Sequence, residues 1–155
     1  MLIYIECLND NLMIKVDDIN STDKVIILKK KIKEREYIPI DEQILYYNCL
    51  EMRNDDMISK HLSKDSEVLN LVIRDKYIDL TIKTMFDKEI IIKNITSQTL
   101  IEEIFLILFY YYDLHPDDIS LIYKGNNLNK SMKLAYYNIV NNNTINLIIK
   151  TKSGF

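Results

Sequence analysis

The chain opens on a strict alternation of apolar and polar positions. Apolar side chains occupy every second position in residues 3–7 and again in residues 12–16. A period of two predicts β-strands with one buried face. Between the two runs lie Asn9, Asp10 and Asn11, residue types that favour tight turns. The pattern therefore predicts a β-hairpin at the start of the chain.

The next segment changes to a helical period. Val25, Leu28 and Ile32 recur at spacings of three and four, which predicts a helix with one buried stripe. Pro39 should end it, because the residue before a proline is pushed out of the α conformation. The four lysines between positions 29 and 33 are expected on a solvated face. The expected N-cap is one of three residues with a side-chain acceptor: Ser21, Thr22 or Asp23.

Two more strands follow the helix. In the first, Leu45 and Tyr47 are expected to point inward. In the second, alternate positions from Leu69 through Leu71 to Ile73 should do the same. The order of elements is thus strand, strand, helix, strand, strand.

The second half of the chain repeats the first at a constant spacing. Leu45 and Leu121 are 76 positions apart (121 − 45), and the same spacing relates residues 70–74 to residues 146–150. It also relates the helical stripe to Ile101, Ile104 and Leu108. At the first strand the spacing is 77 (82 − 5, for Ile5 and Ile82), which predicts a first hairpin one residue shorter in the second half. A repeat of this length indicates two copies of one structural unit.

The second unit should contain the same elements in the same order. A hairpin at residues 80–92 leads to a helix capped near Ser97 or Thr99 and ended by Pro116. Strands are expected at residues 121–123 and 145–149. One helix across one face of a mixed sheet buries these stripes most simply, which makes the fold class α+β. The predicted domains are residues 1–74 and 77–155, with a C-terminal tail at 150–155.

Several segments of this frame resemble ubiquitin. In the first unit they are residues 38–43, Ile-Pro-Ile-Asp-Glu-Gln, and residues 69–74, Leu-Asn-Leu-Val-Ile-Arg. In the second unit they are residues 114–118 and 121–125. The resemblance implies two tandem ubiquitin-like β-grasp domains. Such a chain is similar to tandem two-domain ubiquitin-like modifiers, among them the interferon-induced one, and viral and bacterial tandem modifiers are equally open.

The C-terminal tail resembles the tail through which this family is conjugated. Lys150 and Lys152 match its two arginines, and Gly154 matches its terminal glycine. Ser153 replaces the penultimate glycine, and Phe155 is one residue more. The resemblance implies that a protease cuts after Gly154 and that the new carboxylate is joined to lysine amines. The alternative is a frayed end without a role.

Strand parity also predicts outward apolar residues. Because Leu121 and Tyr123 should point inward, Ile122 should point outward, and the same argument applies to Ile148. The resemblance implies that these positions form a recognition patch in each unit. The two patches are Met85, Ile122 and Ile148 in the second unit and Leu8, Tyr46 and Val72 in the first. The alternative is that one patch is buried against the other unit.

The predicted helix at residues 100–112 is apolar on nearly every side. Such a helix is usually buried on more than one face. Phe105, Phe109 and Tyr112 are therefore expected to pack an interface, either between the units or with another chain. The alternative is a thicker core within the second unit.

Composition and charge narrow the function class. Apolar residues make up 48% and charged residues 28% of 155, which is typical of a globular protein. The net charge of −3 gives no reason to expect a nucleic acid or a membrane as partner. No basic segment precedes the first apolar run, and no apolar run reaches the ~20 residues of a membrane span. Cys7 and Cys49 are best interpreted as reduced thiols, which favours a cytoplasmic protein.

No catalytic motif is found in the chain. It contains no nucleophile elbow, HExxH or phosphate-binding glycine loop. His61 and His115 are expected at the surface or at helix ends, so no metal, cofactor or enzymatic activity is predicted. The hypothesis is a protein modifier whose partners are activating, conjugating and deconjugating enzymes and target proteins. The alternative is a tandem binding module, or a mimic, that docks without conjugation.

Overall fold

The computed structural model describes residues 1–150 and shows two compact units, which divide between Asp75 and Lys76. Each unit contains one α-helix and one mixed sheet of five strands. The predicted α+β class and the tandem β-grasp architecture are confirmed.

The first unit has six main elements. They are β1 (Ile3–Cys7), β2 (Met13–Val16), α1 (Val25–Glu36), β3 (Gln43–Tyr47), β4 (Leu50–Glu51) and β5 (Glu67–Ile73). The sheet order is β2-β1-β5-β3-β4. β1 runs parallel to β5, and the other neighbours are antiparallel. The last strand thus lies between the first hairpin and β3.

The core of this unit is formed by the inward face of the sheet and the stripe of α1. The predicted stripe of Val25, Leu28 and Ile32 is confirmed, since all three are fully buried. In β1, Ile3, Ile5 and Cys7 are buried as predicted, and the residues between them are half-buried. Burying each of the large aliphatic side chains contributes about 1.5 to 3 kcal/mol relative to leaving it exposed. Apolar residues recur every two positions in the strands and about every 3.6 positions in the helix, so these side chains point to the same side of the unit.

The second unit repeats this arrangement. Its elements are β6 (Ile78–Lys83), β7 (Glu89–Ile95), α2 (Ile101–Tyr112), β8 (Ile119–Tyr123), β9 (Asn126–Asn127) and β10 (Thr144–Ile149). The sheet order is β7-β6-β10-β8-β9, with β6 parallel to β10. Ile5 pairs with Ile14, nine positions on (14 − 5), and Ile82 with Ile90, eight positions on (90 − 82). The predicted one-residue difference between the hairpins is confirmed.

Both helices begin differently from the prediction. The N-cap positions are Lys24 and Leu100, and neither provides a side-chain cap. The expected caps at Ser21, Thr22 or Asp23, and at Ser97 or Thr99, are therefore wrong. In α1 the N–H groups of Val25 and Ile26 donate to the carbonyl oxygens of Asp56 and Asn54, over 2.9 and 3.1 Å. In α2, Ile101 and Glu102 donate in the same way to Met132 and Lys130. Backbone carbonyls about 30 positions further along satisfy the free N–H groups of each helix start.

Both helices end before their prolines, as predicted. Tyr37 and Asp113 follow the last helical residues with φ of 57° and 58°. Their N–H groups donate to Lys33 and Phe109, which closes each helix with a left-handed residue. After α1, the buried side chain of Gln43 donates to the carbonyl oxygens of Lys29 and Ile38, each over 2.9 Å. This amide joins the helix to the segment that leads into β3.

Two predictions about helix faces are wrong. Lys29 is only 6% exposed, not solvated, and burial lowers the pKa of its ammonium group. Phe105, expected at an interface, is 4% exposed and belongs to the core of its own unit. The two residues are 76 positions apart (105 − 29), so they occupy equivalent positions in α1 and α2, and this position is buried in both units. Phe109 and Tyr112 are exposed, and their role at an interface stays a prediction.

Candidate functional site

The first predicted patch, Leu8, Tyr46 and Val72, lies on the outer face of the first sheet. Tyr46 is opposite Asn70, and Val72, which is opposite Ile44, lies two pairs further along the two antiparallel strands. Tyr46 and Val72 are half-buried, and Leu8 is 53% exposed. The intervening Leu71 is fully buried, as the period of a strand requires. We call these three residues patch 1.

Leu8 is held beside Val72 by backbone and side-chain hydrogen bonds. Its N–H donates to the carbonyl oxygen of Leu71 over 2.9 Å. The next residue, Asn9, accepts a hydrogen bond from the N–H of Ile73 over 2.8 Å and donates its side-chain amide to the Ile73 carbonyl. This reciprocal pair joins the first hairpin to the end of β5. The apolar side chain of Leu8 is thereby presented on a fixed turn.

The second predicted patch, Met85, Ile122 and Ile148, lies on the corresponding face of the second sheet. Ile122 is opposite Asn146, two positions before Ile148 on the same strand. Ile122 is half-buried, Ile148 is 39% exposed and Met85 is 61% exposed. The predicted outward direction of Ile122 and Ile148 is confirmed. We call these three residues patch 2.

Beside patch 2 lies an exposed aromatic residue that the sequence did not single out. Phe86 follows Met85 in the turn and is 73% exposed. Phe86 occupies the position equivalent to Asn9 in unit 1. A phenylalanine side chain cannot form the hydrogen bonds by which Asn9 joins the first hairpin to β5. The turn is closed instead by Thr84, whose N–H and hydroxyl both donate to the carbonyl oxygen of Lys88. The sequence feature that could have pointed to Phe86 is a phenylalanine in a turn, where polar residues are usual.

The C-terminal tail begins at the end of β10. Lys150 is exposed, and its N–H donates to the carbonyl oxygen of Asp118 over 2.8 Å. Arg74 makes the same bond to Glu42 in the first unit, over 2.7 Å. Lys152, Ser153, Gly154 and Phe155 lie outside the described residues. Lys150 is therefore the only predicted tail residue whose surroundings are described.

One ionic cluster in unit 1 supports the start of α1. The carboxylate of Asp56 lies 2.9 Å from His61 Nε2 and 3.0 Å from Lys60 Nζ. The hydrogen bond with His61, and then that with Lys60, holds the pKa of Asp56 well below its usual range. Because the carbonyl of Asp56 also accepts from the N–H of Val25, this cluster positions the start of the helix.

The remaining candidate chemistry is sparse. Within residues 1–150, no three His, Cys, Asp or Glu side chains come together in a way that could hold a metal ion. His115 is exposed and accepts a hydrogen bond from the N–H of Asp117. In the same residues, neither helix is long and apolar enough to cross a bilayer. Among the described residues, the geometry therefore offers two apolar sheet faces and an exposed Lys150 where the tail begins.

The family follows from a direct comparison. A sequence model described as Ubiquitin family matches residues 3–76 and, a second time, residues 80–152. The chain belongs to the ubiquitin family. The two matches each cover one of the structural units, so the expected family and the tandem arrangement of two ubiquitin-like domains are both confirmed. In this ubiquitin-family chain the second match includes Lys150 and Lys152.

Proposed function

We propose that this chain is a protein modifier that is cleaved after Gly154 and joined through Gly154 to lysines of target proteins. Water would hydrolyse the peptide bond between Gly154 and Phe155 and leave a free carboxylate. A carboxylate is a poor electrophile, so it would be activated at the expense of ATP. The amine of a target lysine would then form an amide with it and release the activating group.

The observation that carries this proposal is the second family match, which runs to residue 152 and is followed at once by Ser153 and Gly154. β10 ends at Ile149, which is 42% exposed, and Lys150 is exposed. Among the described residues, the last core residue of the second unit is Leu147, and we expect the residues after Lys150 to lie outside that core. An enzyme can draw them into a narrow channel without unfolding the domain. Glycine suits the last position because it lacks a Cβ.

The proposed partners are the activating, conjugating and deconjugating enzymes of a ubiquitin-like pathway, together with the target proteins. The chain would be their substrate and not itself a catalyst. Lys150 and Lys152 would supply positive charge for tail recognition, and Ser153 would select enzymes that accept a side chain at the penultimate position. Cys7 and Cys49 are free thiols. Free thiols are typical of reducing compartments, which supports placing the protein in the cytoplasm.

A second candidate function is favoured by the two patches. Exposed apolar side chains that cluster on one sheet face are typical of protein interaction sites. Patch 1 and patch 2 would let the chain dock, without conjugation, onto proteins that bind ubiquitin. The same surfaces would also serve a conjugated modifier, so the patches alone do not separate the two functions.

Expression of an N-terminally tagged chain in its native cells separates them. The wild type should give a ladder of slower-migrating adducts on a denaturing blot, and Gly154→Ala should abolish it without changing the fold. A chain that lacks Phe155 is the matched control, because it needs no cleavage and should still form adducts. If Gly154→Ala keeps the ladder, Gly154 is not the conjugation site. If no variant forms adducts, the docking function is the correct one.

A further inference from the structure

The outer face of α2 is covered with large apolar and aromatic side chains. Five of them, between 36% and 80% exposed, are Leu106, Phe109, Tyr110, Tyr111 and Tyr112. Tyr111 is the most exposed, and Tyr110, at 75%, is at the centre of the side opposite the core. Leu106 and Tyr110 lie opposite the buried stripe of Ile101, Ile104 and Leu108, and Phe109 and Tyr111 lie on the flanks. Tyr112, four positions after Leu108, continues the line of the stripe at the end of the helix, where it is exposed. We call the five residues the aromatic face.

The first unit shows that the fold does not require such a face. The residues 76 positions earlier are Lys30, Lys33, Glu34, Arg35 and Glu36. α1 has the same length as α2, the same type of N-terminal backbone bonds and an equivalent buried stripe. A charged outer surface is therefore compatible with every other feature of the unit. The aromatic face is a property that the second unit has in addition to what its folding needs.

Its size is sufficient for a small interface. Each aromatic side chain offers roughly 150–250 Å² when fully exposed, so the face presents on the order of 500 Å². That lies within the range of the largest apolar patch on a typical monomer, which is often functional. It is somewhat below the ~800 Å² that one partner contributes to a standard interface. α2 has three turns, so the surface matches a partner segment of about the same length.

The charges at both ends of α2 are negative. Glu102 and Glu103 are exposed in its first turn, and Asp113 is exposed directly after its last. Glu103 is fixed, because its carboxylate accepts the N–H of Leu100 over 3.1 Å. α2 itself contains no lysine or arginine. One ammonium group lies near the helix start: that of the exposed Lys130, 4.9 Å from the centroid of the Phe105 ring.

This distribution of charge argues against a second copy of the chain as the occupant. A two-fold axis that lays the two copies of α2 side by side along their length brings each acidic end near an acidic end of the other copy, since both ends have the same sign. Like charges across an interface disfavour association. A partner with an apolar centre and positively charged ends would be complementary to the aromatic face and to the acidic groups at both ends of α2.

We propose that the aromatic face of α2 binds a basic amphipathic helix of another protein. The partner would present apolar side chains at spacings of three and four and carry Lys or Arg near both ends of that stripe. Its apolar residues would pack between Tyr110, Leu106 and Phe109, and its basic ends would approach Glu102 and Asp113. The inference does not depend on Gly154, because neither α2 nor its acidic ends is part of the tail.

The test is selection of a displayed library of helical peptides against the full-length chain, with all outward peptide positions randomised. A variant in which α2 takes the residues of α1 serves for counter-selection: Leu106→Lys, Phe109→Lys, Tyr110→Glu and Tyr111→Arg. Enriched peptides should carry an apolar stripe with Lys or Arg at both ends. Their affinity should fall about tenfold or more in the variant. It should be unchanged when patch 2 is altered by Ile122→Ala and Ile148→Ala.

Four outcomes would overturn the proposal. The first two are enriched peptides that are acidic or neutral at their ends, and peptides that bind the wild type and the variant equally. The third is sedimentation of the chain as a dimer that dissociates in the variant, which would make a second copy the occupant. The fourth is binding to phosphatidylcholine vesicles, with or without phosphatidylserine, through the same residues. If the quadruple variant does not fold, the single variant Tyr110→Glu is used, since that side chain is 75% exposed.

Discussion

Tyr47 donates its phenolic hydrogen to the carboxylate of Glu67 over 3.0 Å. At the places 76 positions later, Tyr123 donates to the side-chain oxygen of Asn143, also over 3.0 Å. The repeat thus extends to a partly buried side-chain hydrogen bond that joins the end of one strand, β3 or β8, to the start of the last strand of its unit, β5 or β10. The acceptor is charged in the first unit and neutral in the second.

The charged acceptor leads to a prediction about Tyr47. The hydrogen bond and the negative charge of Glu67 raise the pKa of Tyr47, because a phenolate would be repelled. Glu67→Gln should therefore lower the pKa of Tyr47 toward its ordinary value of 10.0. The titration is followed by NMR of ring-labelled tyrosine at alkaline pH. Asp65→Asn is the control, and an unchanged pKa in Glu67→Gln would show that another group perturbs Tyr47.

A second prediction concerns the two phenylalanines of α2. Phe105 is 4% exposed, so Phe105→Ala should lower the free energy of unfolding of the second unit by about 3 to 5 kcal/mol. Phe109 contacts Tyr110 and His115 edge-on but is 36% exposed, and Phe109→Ala should cost only about 1 kcal/mol. Urea unfolding, followed through NMR signals of the second unit, measures both. Equal losses would contradict the burial of Phe105 in its own core.

Burial also predicts a difference in reactivity among neighbouring lysines. Lys29 is 6% exposed, whereas Lys30 and Lys33 are exposed. Limited acetylation followed by peptide mass spectrometry should modify Lys29 about tenfold more slowly than the other two, because a reagent reaches it only through local opening. In urea the three rates should converge. Comparable rates in the folded protein would place Lys29 at the surface, where it could also accept a modifier.

A fourth prediction concerns acid stability. The pKa of Asp56 is held below its ordinary 3.8, chiefly by His61 and then by Lys60. A carboxyl group with a lowered folded-state pKa stabilises the protein above its ordinary pKa, and that contribution is lost as the pH falls below about 4. The thermal midpoint of the first unit should therefore drop less between pH 6 and pH 3 in Asp56→Asn than in the wild type. Asp55→Asn, at an exposed position, should behave like the wild type, and a wild-type acid response in Asp56→Asn would exclude the cluster as its cause.

The sequence was sufficient for the main strands and helices and for the faces of the strands. Strand parity depends on adjacent residues, so the outward direction of Ile122 and Ile148 followed from the alternation alone. The fixed spacing between the halves predicted both the second unit and its shorter hairpin. The spacing could also have placed position 29 correctly. It pairs Lys29 with Phe105, and a lysine whose counterpart is a phenylalanine in an apolar helix is a candidate for burial.

The helix starts could not be predicted from neighbouring side chains. Their N–H groups are satisfied by carbonyl oxygens of Asp56 and Met132, which follow Val25 and Ile101 by 31 positions (56 − 25; 132 − 101). Local capping rules consider only residues adjacent in sequence, whereas these partners come close to the helix start only in the folded unit. The bond between Asn9 and Ile73 escaped prediction for the same reason, since 64 positions separate them. The tail residues after Lys150 are outside the described part of the chain, so their roles stay predictions.

Conjugation through Gly154 is tested most directly by mass spectrometry of trypsin-digested proteins from the native cells. Trypsin cleaves after Lys152, so every modified target lysine should carry a branch of Ser153 and Gly154. This Ser-Gly branch differs from the Gly-Gly branch left by a tail that ends in two glycines, and Gly154→Ala should remove it. Conjugation through Gly154 predicts Ser-Gly branches on target lysines and an intact mass of the free protein that lacks Phe155. A full-length mass with no Ser-Gly branch in any digest would contradict it.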